Sequence, residues 1–218
     1  MNAKRRRPTP PGPNPALRPK TERTVEEAAI RIIGGTLRGR KLKIGVDPRT
    51  RPMKDRTRQA MFNLLGNHMD GCIVFDLFAG TGVIAMETVS RGAEKAVAIE
   101  LLPHLAKTIN QYLETFRIQD QVTVHRGNAF DFLADQREII DALPKLPWCI
   151  FICPPFPLWE SGRSELVALI ESWLSAAPSG SRCVCELDYD SDPELLPAEY
   201  EWSVRDYRPA KLAITQKS

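Results

Sequence analysis

Blocks of apolar residues and blocks with helical spacing alternate along most of the chain. The run from Trp148 to Ile152 is apolar throughout, which is typical of a central strand covered on both faces. Alternation of this kind predicts an α/β fold, with a mostly parallel sheet, right-handed crossovers and helices on both faces. Further strands are predicted from residue 74 and at 96–100, 122–126 and 182–186, helices from residue 83 and at 103–116, 129–142 and 164–176, and a closing antiparallel hairpin at 202–207 and 212–215.

A glycine-rich turn follows the predicted strand that ends at Asp76. Residues 78–82 carry two glycines and lead into the predicted helix at Val83. A backbone that passes from strand to helix beside a ligand needs residues without a Cβ, and the N–H groups of the helix start can bind an anionic group. Ala85 occupies the third glycine position of the G-x-G-x-x-G pattern, so this is not the nicotinamide or flavin signature. The plain alternative is an ordinary glycine turn in an α/β protein.

Polar residues end several of the predicted strands. Glu100 ends one of them about 20 residues after the glycine turn, where an acidic side chain binds ribose hydroxyls in related nucleotide-binding folds. Asp76, Asn128 and Cys153 also follow predicted strands. Because the carboxyl ends of parallel strands meet at one edge of the sheet, we expect the ligand site there.

Length and composition favour one α/β domain with a small extension. The chain has 218 residues, of which 43% are hydrophobic and 26% charged. It has no apolar run of the roughly 18 residues that cross a membrane and no signal-peptide core, so a cytoplasmic protein is expected. The five cysteines form no C-x-x-C pair and lie far from the three histidines. Neither a metal site nor a disulfide framework is therefore predicted.

The charge is distributed unevenly, although the net charge is only +3. Residues 31–58 contain ten basic and two acidic residues, whereas residues 59–218 contain 13 basic and 22 acidic ones. A basic N-terminal quarter on an acidic body indicates nucleic-acid binding more often than a merely solvated face. Residues 1–20 add six basic residues and six prolines, which predict a disordered tail that either solubilises the chain or attracts phosphates.

A basic hairpin and a basic helix are predicted after the tail. An ordered segment begins at Arg31, and residues 36–42 continue it as a hairpin with basic residues on the exposed side. Apolar residues recur at helical spacing over 54–67. The helix either packs on the sheet edge with its arginines solvated, or forms an RNA-facing surface with the hairpin; we favour the second interpretation. The predicted RNA-binding residues are Arg31, Arg38, Arg40, Lys41, Arg51, Lys54, Arg56 and Arg58.

Two N-terminal motifs resemble those of a known family. Residues 31–42 read R-I-I-G-G-x-x-R-G-R-K-L, and residues 51–65 read R-P-x-x-D-R-x-R-x-A-x-F-N-x-L. With the glycine turn they are similar to the signature of the RsmD family, over about residues 31–156. This resemblance implies a class I methyltransferase fold with S-adenosylmethionine as cofactor. It also implies methyl transfer to the N2 amine of a guanine in small-subunit ribosomal RNA.

The resemblance further implies the residues of a cofactor site. The glycine turn would line the methionine and ribose region, and Glu100 would accept both ribose hydroxyls, because a carboxylate can take two hydrogen bonds in parallel. Many relatives carry aspartate where Asn128 stands, but an amide oxygen can still accept from the adenine amino group. The implied cofactor-binding residues are Asp76, Phe78, Gly80, Thr81, Gly82, Glu100, Leu101, Asn128 and Ala129.

The motif after the fourth strand departs from the family pattern. Relatives typically read [Asp/Asn]-Pro-Pro-[Tyr/Phe], whereas this chain reads Cys153, Pro154, Pro155 and Phe156. In the family pattern the first side chain and the next proline carbonyl hold the amine hydrogens, and the aromatic ring stacks on the flipped-out base. A thiol is a weak donor and acceptor. The change therefore forfeits about 1–3 kcal/mol of amine positioning, or about 5- to 150-fold in rate.

Three interpretations of Cys153 stay open at this point. The chain is a slower or differently assisted amine methyltransferase, or it binds cofactor and RNA without turnover as an assembly factor. The third is a covalent nucleophile for carbon-5 methylation of a pyrimidine, although such enzymes place the cysteine after a proline and no activating histidine is nearby in sequence.

The sequence thus predicts three segments and one activity. Residues 1–29 form the disordered tail, 30–70 the basic extension for RNA docking, and 71–218 the methyltransferase domain. The expected activity is guanine-N2 methylation of small-subunit ribosomal RNA by a cytoplasmic monomer whose partner is ribosomal RNA or the small subunit. The alternatives are a silent assembly protein and a DNA adenine-N6 methyltransferase, and the basic signature argues against the latter.

Overall fold

The computed structural model describes residues 27–45 and 53–218. The strands are β1 (Glu27–Arg31), β2 (Lys41–Gly45), β3 (Ile73–Asp76), β4 (Lys95–Glu100), β5 (Val122–Arg126), β6 (Trp148–Ile152), β7 (Arg182–Asp188), β8 (Ser203–Tyr207) and β9 (Ala210–Gln216). The helices are α1 (Asp55–Leu64), α2 (Val83–Ser90), α3 (Pro103–Phe116), α4 (Ala129–Asp135), α5 (Arg137–Asp141), α6 (Leu158–Ser161) and α7 (Arg163–Ala176), with a 3₁₀ turn at Pro193–Leu195.

Seven strands form the main sheet in the order β5-β4-β3-β6-β7-β9-β8. The first five are mutually parallel, and β9 and β8 close the sheet as an antiparallel hairpin. The predicted α/β fold is confirmed. From β3 the chain proceeds outward through β4 and β5, then returns to build β6 and β7 on the other side. This reversal places a crevice beside the carboxyl end of β3, the usual ligand site of such sheets.

Most predicted elements are confirmed to within a few residues. The predicted helix at 103–116 and the strands at 122–126 and 148–152 match α3, β5 and β6. The predicted helix at 129–142 divides into α4 and α5, because the backbone of Gln136 leaves the helical region with φ −117° and ψ 36°. The sequence does not predict α6. Within the described ranges, no helix combines the length and apolar character required to cross a membrane.

The N-terminal hairpin differs from its prediction. Strands β1 and β2 pair in an antiparallel sheet of their own, with Ile30 opposite Leu42, so residues 36–39 form a turn and not a strand. The strand also includes residues 27–29, which the sequence analysis assigns to the disordered tail. The remainder of that predicted tail, residues 1–26, lies outside the described residues.

The hairpin is part of the main core. Its apolar side chains Ile30, Ile32, Leu42 and Ile44 are buried in one cluster with residues of α1, α2 and the facing side of the sheet. Alternation along β2 places Lys41, Lys43 and Gly45 outside, which gives the strand a basic exposed face. The opposite face of the sheet carries a second cluster beneath α4, α5 and α7.

Backbone hydrogen bonds join the hairpin turn to the end of α2. The Thr36 N–H donates to the Ser90 carbonyl (2.8 Å), and the Leu37 N–H donates to Ser90 Oγ (2.8 Å). Ser90 Oγ in turn donates to the Gly34 carbonyl (2.6 Å). A Cβ at Gly35, which has φ +74°, would lie 1.7 Å from the Ser90 carbonyl oxygen. Only glycine allows the turn to approach the helix this closely.

Replacement of Gly35 by alanine therefore tests how tightly the turn is docked. Gly39 is the matched control, because its φ is also positive (+87°) but its Cβ would meet nothing within 4 Å. We expect Gly39→Ala to lower the free energy of unfolding by about 1–2 kcal/mol through backbone strain alone. Gly35→Ala adds a backbone overlap and should cost at least about 2 kcal/mol more. Urea unfolding of both variants measures the difference, and equal losses would contradict the docking described above.

Candidate active site

The register of the central strands brings three polar side chains to one edge and one face of the sheet. Asp76 is paired with Ala98 of β4 and with Phe151 of β6. Glu100 and Cys153 each lie two residues beyond those partners. Because side chains on a strand alternate between faces, all three lie on the face that also carries the hairpin and α2. The predicted site residues of β3, β4 and β6 therefore converge at the crevice.

The glycine turn is fixed by its backbone conformation and its contacts. Gly80 and Gly82 have φ of +52° and +72°, the left-handed region that favours glycine. A Cβ at Gly82 would lie 2.8 Å from a side-chain carbon of Ile109 on α3. The Gly82 N–H donates to the Ala79 carbonyl (2.7 Å), and Thr81 Oγ1 accepts from the first helical N–H (3.4 Å). The turn therefore packs its backbone directly against α3 at the mouth of the crevice.

Glu100 is held by the turn that it faces. Its Oε2 accepts from the Gly80 N–H (2.7 Å) and its Oε1 from the Leu102 N–H (2.8 Å). Burial raises the pKa of the carboxyl, and the two backbone N–H groups oppose that rise. Each oxygen keeps a second lone pair. Glu100 can therefore accept further hydrogen bonds from a ligand while its position stays fixed.

Asp76 is fully buried and lacks a hydrogen-bond partner for either carboxyl oxygen among the described residues. Burial raises the pKa of this carboxyl to about 7; the backbone N–H of Ala85 opposes the rise without reaching hydrogen-bond geometry, and the Glu100 charge adds to it. A buried carboxyl without a partner costs free energy, so it indicates a missing cationic or hydrogen-bonding group.

The remaining predicted cofactor residues follow the ends of β3, β4 and β5. Asn128 caps α4, its Oδ1 accepting from the Phe130 N–H (3.2 Å), and Ala129 is buried behind it. The rings of Phe78 and Phe130 meet edge to face at 6.0 Å. Leu101 is 64% exposed, which is unusual for a large apolar side chain directly after a buried strand. They therefore lie at the edge of the sheet that also carries Asp76 and Glu100.

The motif loop, residues 153–156, leads directly from β6 into α6. Pro154 is buried, Phe156 is half-buried and Pro155 is exposed. The Trp159 N–H of α6 donates to the Phe156 carbonyl (3.0 Å), so the loop ends in a hydrogen-bonded turn. The backbone that carries the Phe156 ring is therefore fixed close to the end of β6.

Cys153 is held as a neutral thiol. Burial raises its pKa well above the usual value, and the charges of Glu186 and Asp76 raise it further. Nucleophilic cysteines need the opposite environment, with a lowered pKa and a basic neighbour. These surroundings argue against the interpretation of Cys153 as a covalent nucleophile.

Glu186 lies at the candidate site although no sequence motif predicts it there. It lies on β7 beside the motif loop, and burial raises its pKa to about 7. The only signal in the sequence is an acidic residue that follows the apolar run Cys183–Cys185. That signal is weak, because acidic residues commonly end strands.

The predicted RNA-binding residues are mostly exposed around a polar groove. Arg31, Arg38 and Arg56 line a cavity of about 460 Å³ between the hairpin turn and α1. Arg40, Lys41 and Lys54 are exposed at or near the same elements, and Arg40 lies 5.9 Å above the ring of Phe116 on α3. Arg51 lies outside the described residues.

Arg58 is an exception, because it is fully buried and cannot contribute to an RNA-facing surface. Its Nε donates to Glu87 Oε2 (2.9 Å), and its Nη2 donates to Asp55 Oδ1 (2.9 Å) and to the Arg31 carbonyl (2.5 Å). The sequence prediction is wrong here, because Arg58 lies on the inner face of α1, opposite a buried carboxylate that it neutralises.

The part of the chain that is described contains no group of three or more His, Cys, Asp or Glu side chains suited to a metal ion. The cysteines other than Cys153 are buried, and burial raises the pKa of the Cys72 thiol. They are packing residues of the two cores.

A parallel sheet with a reversed strand order, a glycine turn above buried acidic strand ends and a closing antiparallel hairpin define a class I methyltransferase. The family model described as conserved hypothetical protein 95 matches residues 30–209. The ribosomal RNA small subunit methyltransferase D of Escherichia coli strain K12 is 35% identical over 148 residues, which cover 67% of this chain and 70% of that protein. The chain belongs to this family, that of the RsmD-type methyltransferases.

Another relative agrees with this assignment, and two solved structures share the fold. The Haemophilus influenzae protein of the same name is 32% identical over 146 residues, which cover 66% of this chain and 73% of that protein. The structure of yhhF from Escherichia coli matches with a TM-score of 0.71 and 25% identity, covering 88% of this chain and 99% of that chain. An RNA methyltransferase from Salinibacter ruber, solved in complex with S-adenosyl-L-homocysteine, shares the fold at a TM-score of 0.53 and 17% identity, covering 77% of this chain and 95% of that chain.

The raised pKa of Asp76 predicts a specific dependence of stability on pH. In the folded protein the Asp76 carboxyl keeps its proton up to about pH 7. In the unfolded chain the carboxyl loses it near its ordinary pKa of 3.8. Stability from this group is therefore present at low pH and declines as pH rises towards 7. Between pH 5 and pH 8 we expect wild type to lose roughly 2–3 kcal/mol relative to Asp76→Asn.

Urea unfolding of both proteins at the two pH values measures this difference, without added ligand. Asp135→Asn, which removes an exposed carboxyl at the end of α4, is the control and should follow wild type. A wild-type curve parallel to that of Asp76→Asn would show that Asp76 is ionised in the folded protein.

Proposed function

We propose that this protein transfers a methyl group from S-adenosylmethionine to the exocyclic N2 amine of a guanine in small-subunit ribosomal RNA. The observation that carries the proposal is the convergence of Asp76, Glu100 and the motif loop at one crevice. The names of the relatives, ribosomal RNA small subunit methyltransferase D, support the substrate class. We further propose that it acts in the cytoplasm as a monomer.

The crevice fits the proposed cofactor. The unpartnered carboxyl of Asp76 suits a cationic amino group, whose charge would favour the ionised carboxylate. Glu100 has lone pairs left for ribose hydroxyls, and Asn128 with the apolar side chains that follow β3, β4 and β5 suits a purine ring. S-adenosylmethionine supplies an electrophilic methyl group on a sulfonium when bound. The chain's own residues have to orient the amine towards that group.

The motif loop provides all but one of the groups that orient the amine. The Pro154 carbonyl can accept one amine hydrogen, and the ring of Phe156 can stack on a base taken out of its helix. Cys153 offers only a weakly accepting neutral thiol for the other hydrogen. Catalysis of this kind depends mainly on positioning. The rate therefore depends on whether another acceptor reaches the amine.

We propose that the hairpin and α1 dock the RNA. The residues 30–70 then form the docking segment of the protein and residues 71–218 the catalytic domain, with the basic tail adding non-specific attraction. The groove lined by Arg31, Arg38 and Arg56 supports this role, because phosphate contacts come mainly from such exposed arginines.

A second function is favoured by one observation, the thiol at position 153. A protein that keeps the cofactor crevice and the basic groove, but holds the amine poorly, would bind both partners without turnover. This alternative is a silent ribosome-assembly protein.

Methyl transfer to small ribosomal subunits that lack the modification tests the two functions against each other. Wild type, Cys153→Asn and Cys153→Asp are incubated with labelled cofactor, after calorimetry has shown that each binds it. We expect wild type to transfer the label, and mass spectrometry to place it on guanine N2. A silent wild type beside an active Cys153→Asn or Cys153→Asp would establish the assembly-protein alternative instead.

The docking surface has its own test. Arg38→Ala with Arg56→Ala removes two exposed charges from the groove, so RNA affinity should fall and the slope of log K against log salt should become shallower by about 2. Arg137→Ala with Lys145→Ala removes the same charge from α5 and the following loop, beside the core on the other sheet face. Equal effects of the two pairs would show that RNA binds elsewhere.

A further inference from the structure

Glu186 lies beside Cys153 on the neighbouring strand. Phe151 pairs with Val184, and both side chains are buried in the core on the face that carries the hairpin. Glu186 lies two residues after Val184 on β7, and Cys153 lies two residues after Phe151, directly past the end of β6. Since side chains alternate between faces with a period of two, they stand side by side on that same face. The Glu186 carboxyl therefore lies next to position 153, where the family pattern has Asp or Asn, but it comes from the adjacent strand.

The Glu186 carboxyl has no hydrogen-bond or ion-pair partner among the described residues, although most of it is removed from solvent. The Glu186 charge raises the pKa of the Cys153 thiol more than the charge of any other group does. A structural carboxylate at this depth would be expected to have a cation or several N–H donors around it. A carboxyl that is buried, unpartnered and next to a reactive motif is typical of a functional group.

The backbone at Glu186 is also tied to the motif loop. The indole Nε1 of the buried Trp159 donates to the Glu186 carbonyl (2.9 Å), while the Trp159 N–H donates to the Phe156 carbonyl (3.0 Å). One residue therefore fixes both the aromatic end of the motif loop and the strand that carries the carboxyl. Trp159 therefore fixes the distance between the end of the motif loop and strand β7. A fixed distance is needed if both are to contact the same substrate.

We propose that Glu186 supplies the strong hydrogen-bond acceptor that Cys153 lacks, and holds one hydrogen of the target amine in the methyl transfer. The inference rests on the proposed function and assigns a catalytic role to a residue outside the motif. A carboxylate accepts an amine hydrogen far better than a neutral thiol. The Cys153 substitution is then tolerated because the acceptor comes from the adjacent strand.

The same position suits the proton that the reaction releases. The amine lone pair forms the new bond to the methyl carbon, the electron pair of the broken bond stays on sulfur, and one amine proton passes to the carboxylate and then to solvent. Burial raises the pKa of Glu186 to about 7, so its carboxyl can take up and release that proton near neutral pH.

A double-mutant cycle tests the assignment, with Glu186→Gln made in wild type and in Cys153→Asn. Asparagine is used because an aspartate beside Glu186 would add like-charge repulsion. We expect Glu186→Gln to lower kcat for guanine-N2 methylation by about 10- to 100-fold in wild type. In Cys153→Asn, which restores a strong acceptor, the same change should lower kcat by less than about threefold.

Two further variants separate catalysis from folding. Glu160→Gln removes an exposed carboxyl from α6 and should leave kcat and cofactor affinity at the wild-type values. Glu186→Gln should keep the wild-type cofactor affinity by calorimetry and should not lower the unfolding midpoint, because burial raises the pKa of this carboxyl and its charge therefore does not stabilise the fold. Glu186→Asp, which keeps the charge on a shorter side chain, should recover part of the lost rate.

The outcomes distinguish this inference from the function on which it rests. Wild-type methylation with a loss below threefold in Glu186→Gln, or equal losses in both backgrounds, would overturn the role of Glu186 alone. Absence of guanine-N2 methylation in wild type and in Cys153→Asn would overturn both the proposed function and this inference.

Discussion

Glu87 is a fully buried carboxylate, and the arrangement of the N-terminal half of the protein depends on how it is neutralised. Its two oxygens accept from Arg58 Nε (2.9 Å) and from Arg91 Nη2 (2.6 Å), and Oε2 also accepts from the Ile33 N–H (3.3 Å). A buried ion is tolerated only when charges and hydrogen bonds compensate the loss of water. Glu87 therefore requires α1 and the hairpin to stay packed against α2.

Helix α2 connects the buried Glu87 cluster to the crevice. Its first residue follows Gly82, whose backbone borders the proposed cofactor site, and its last residue is Ser90, which binds the hairpin turn. All eight residues of the helix are buried, so the helix cannot shift without losing packing contacts. The proposed docking extension and catalytic domain are not separate folding units, since both segments share one hydrophobic core.

Periodicity and motif spacing were sufficient for the main sheet, because continuous apolar runs such as Trp148–Ile152 and helical patterns such as residues 103–116 are long and unambiguous. They were insufficient where the role of a residue depends on how its side chain is packed in the fold. Arg56 and Arg58 look equivalent in sequence, yet one is exposed and the other is buried against Glu87. Glu186 was missed because its importance comes from a neighbouring strand, and strand register cannot be read from local sequence.

The short length of α2 has a geometric consequence for any polyanion bound between the hairpin and α1. Eight helical residues span about 12 Å, and both ends of this helix are anchored. Phosphates bound at the proposed docking groove and a base in the crevice would therefore be held at a fixed separation. A nucleic acid would be accepted according to whether its backbone and its exposed base match that fixed span, so its three-dimensional shape would matter as much as its sequence.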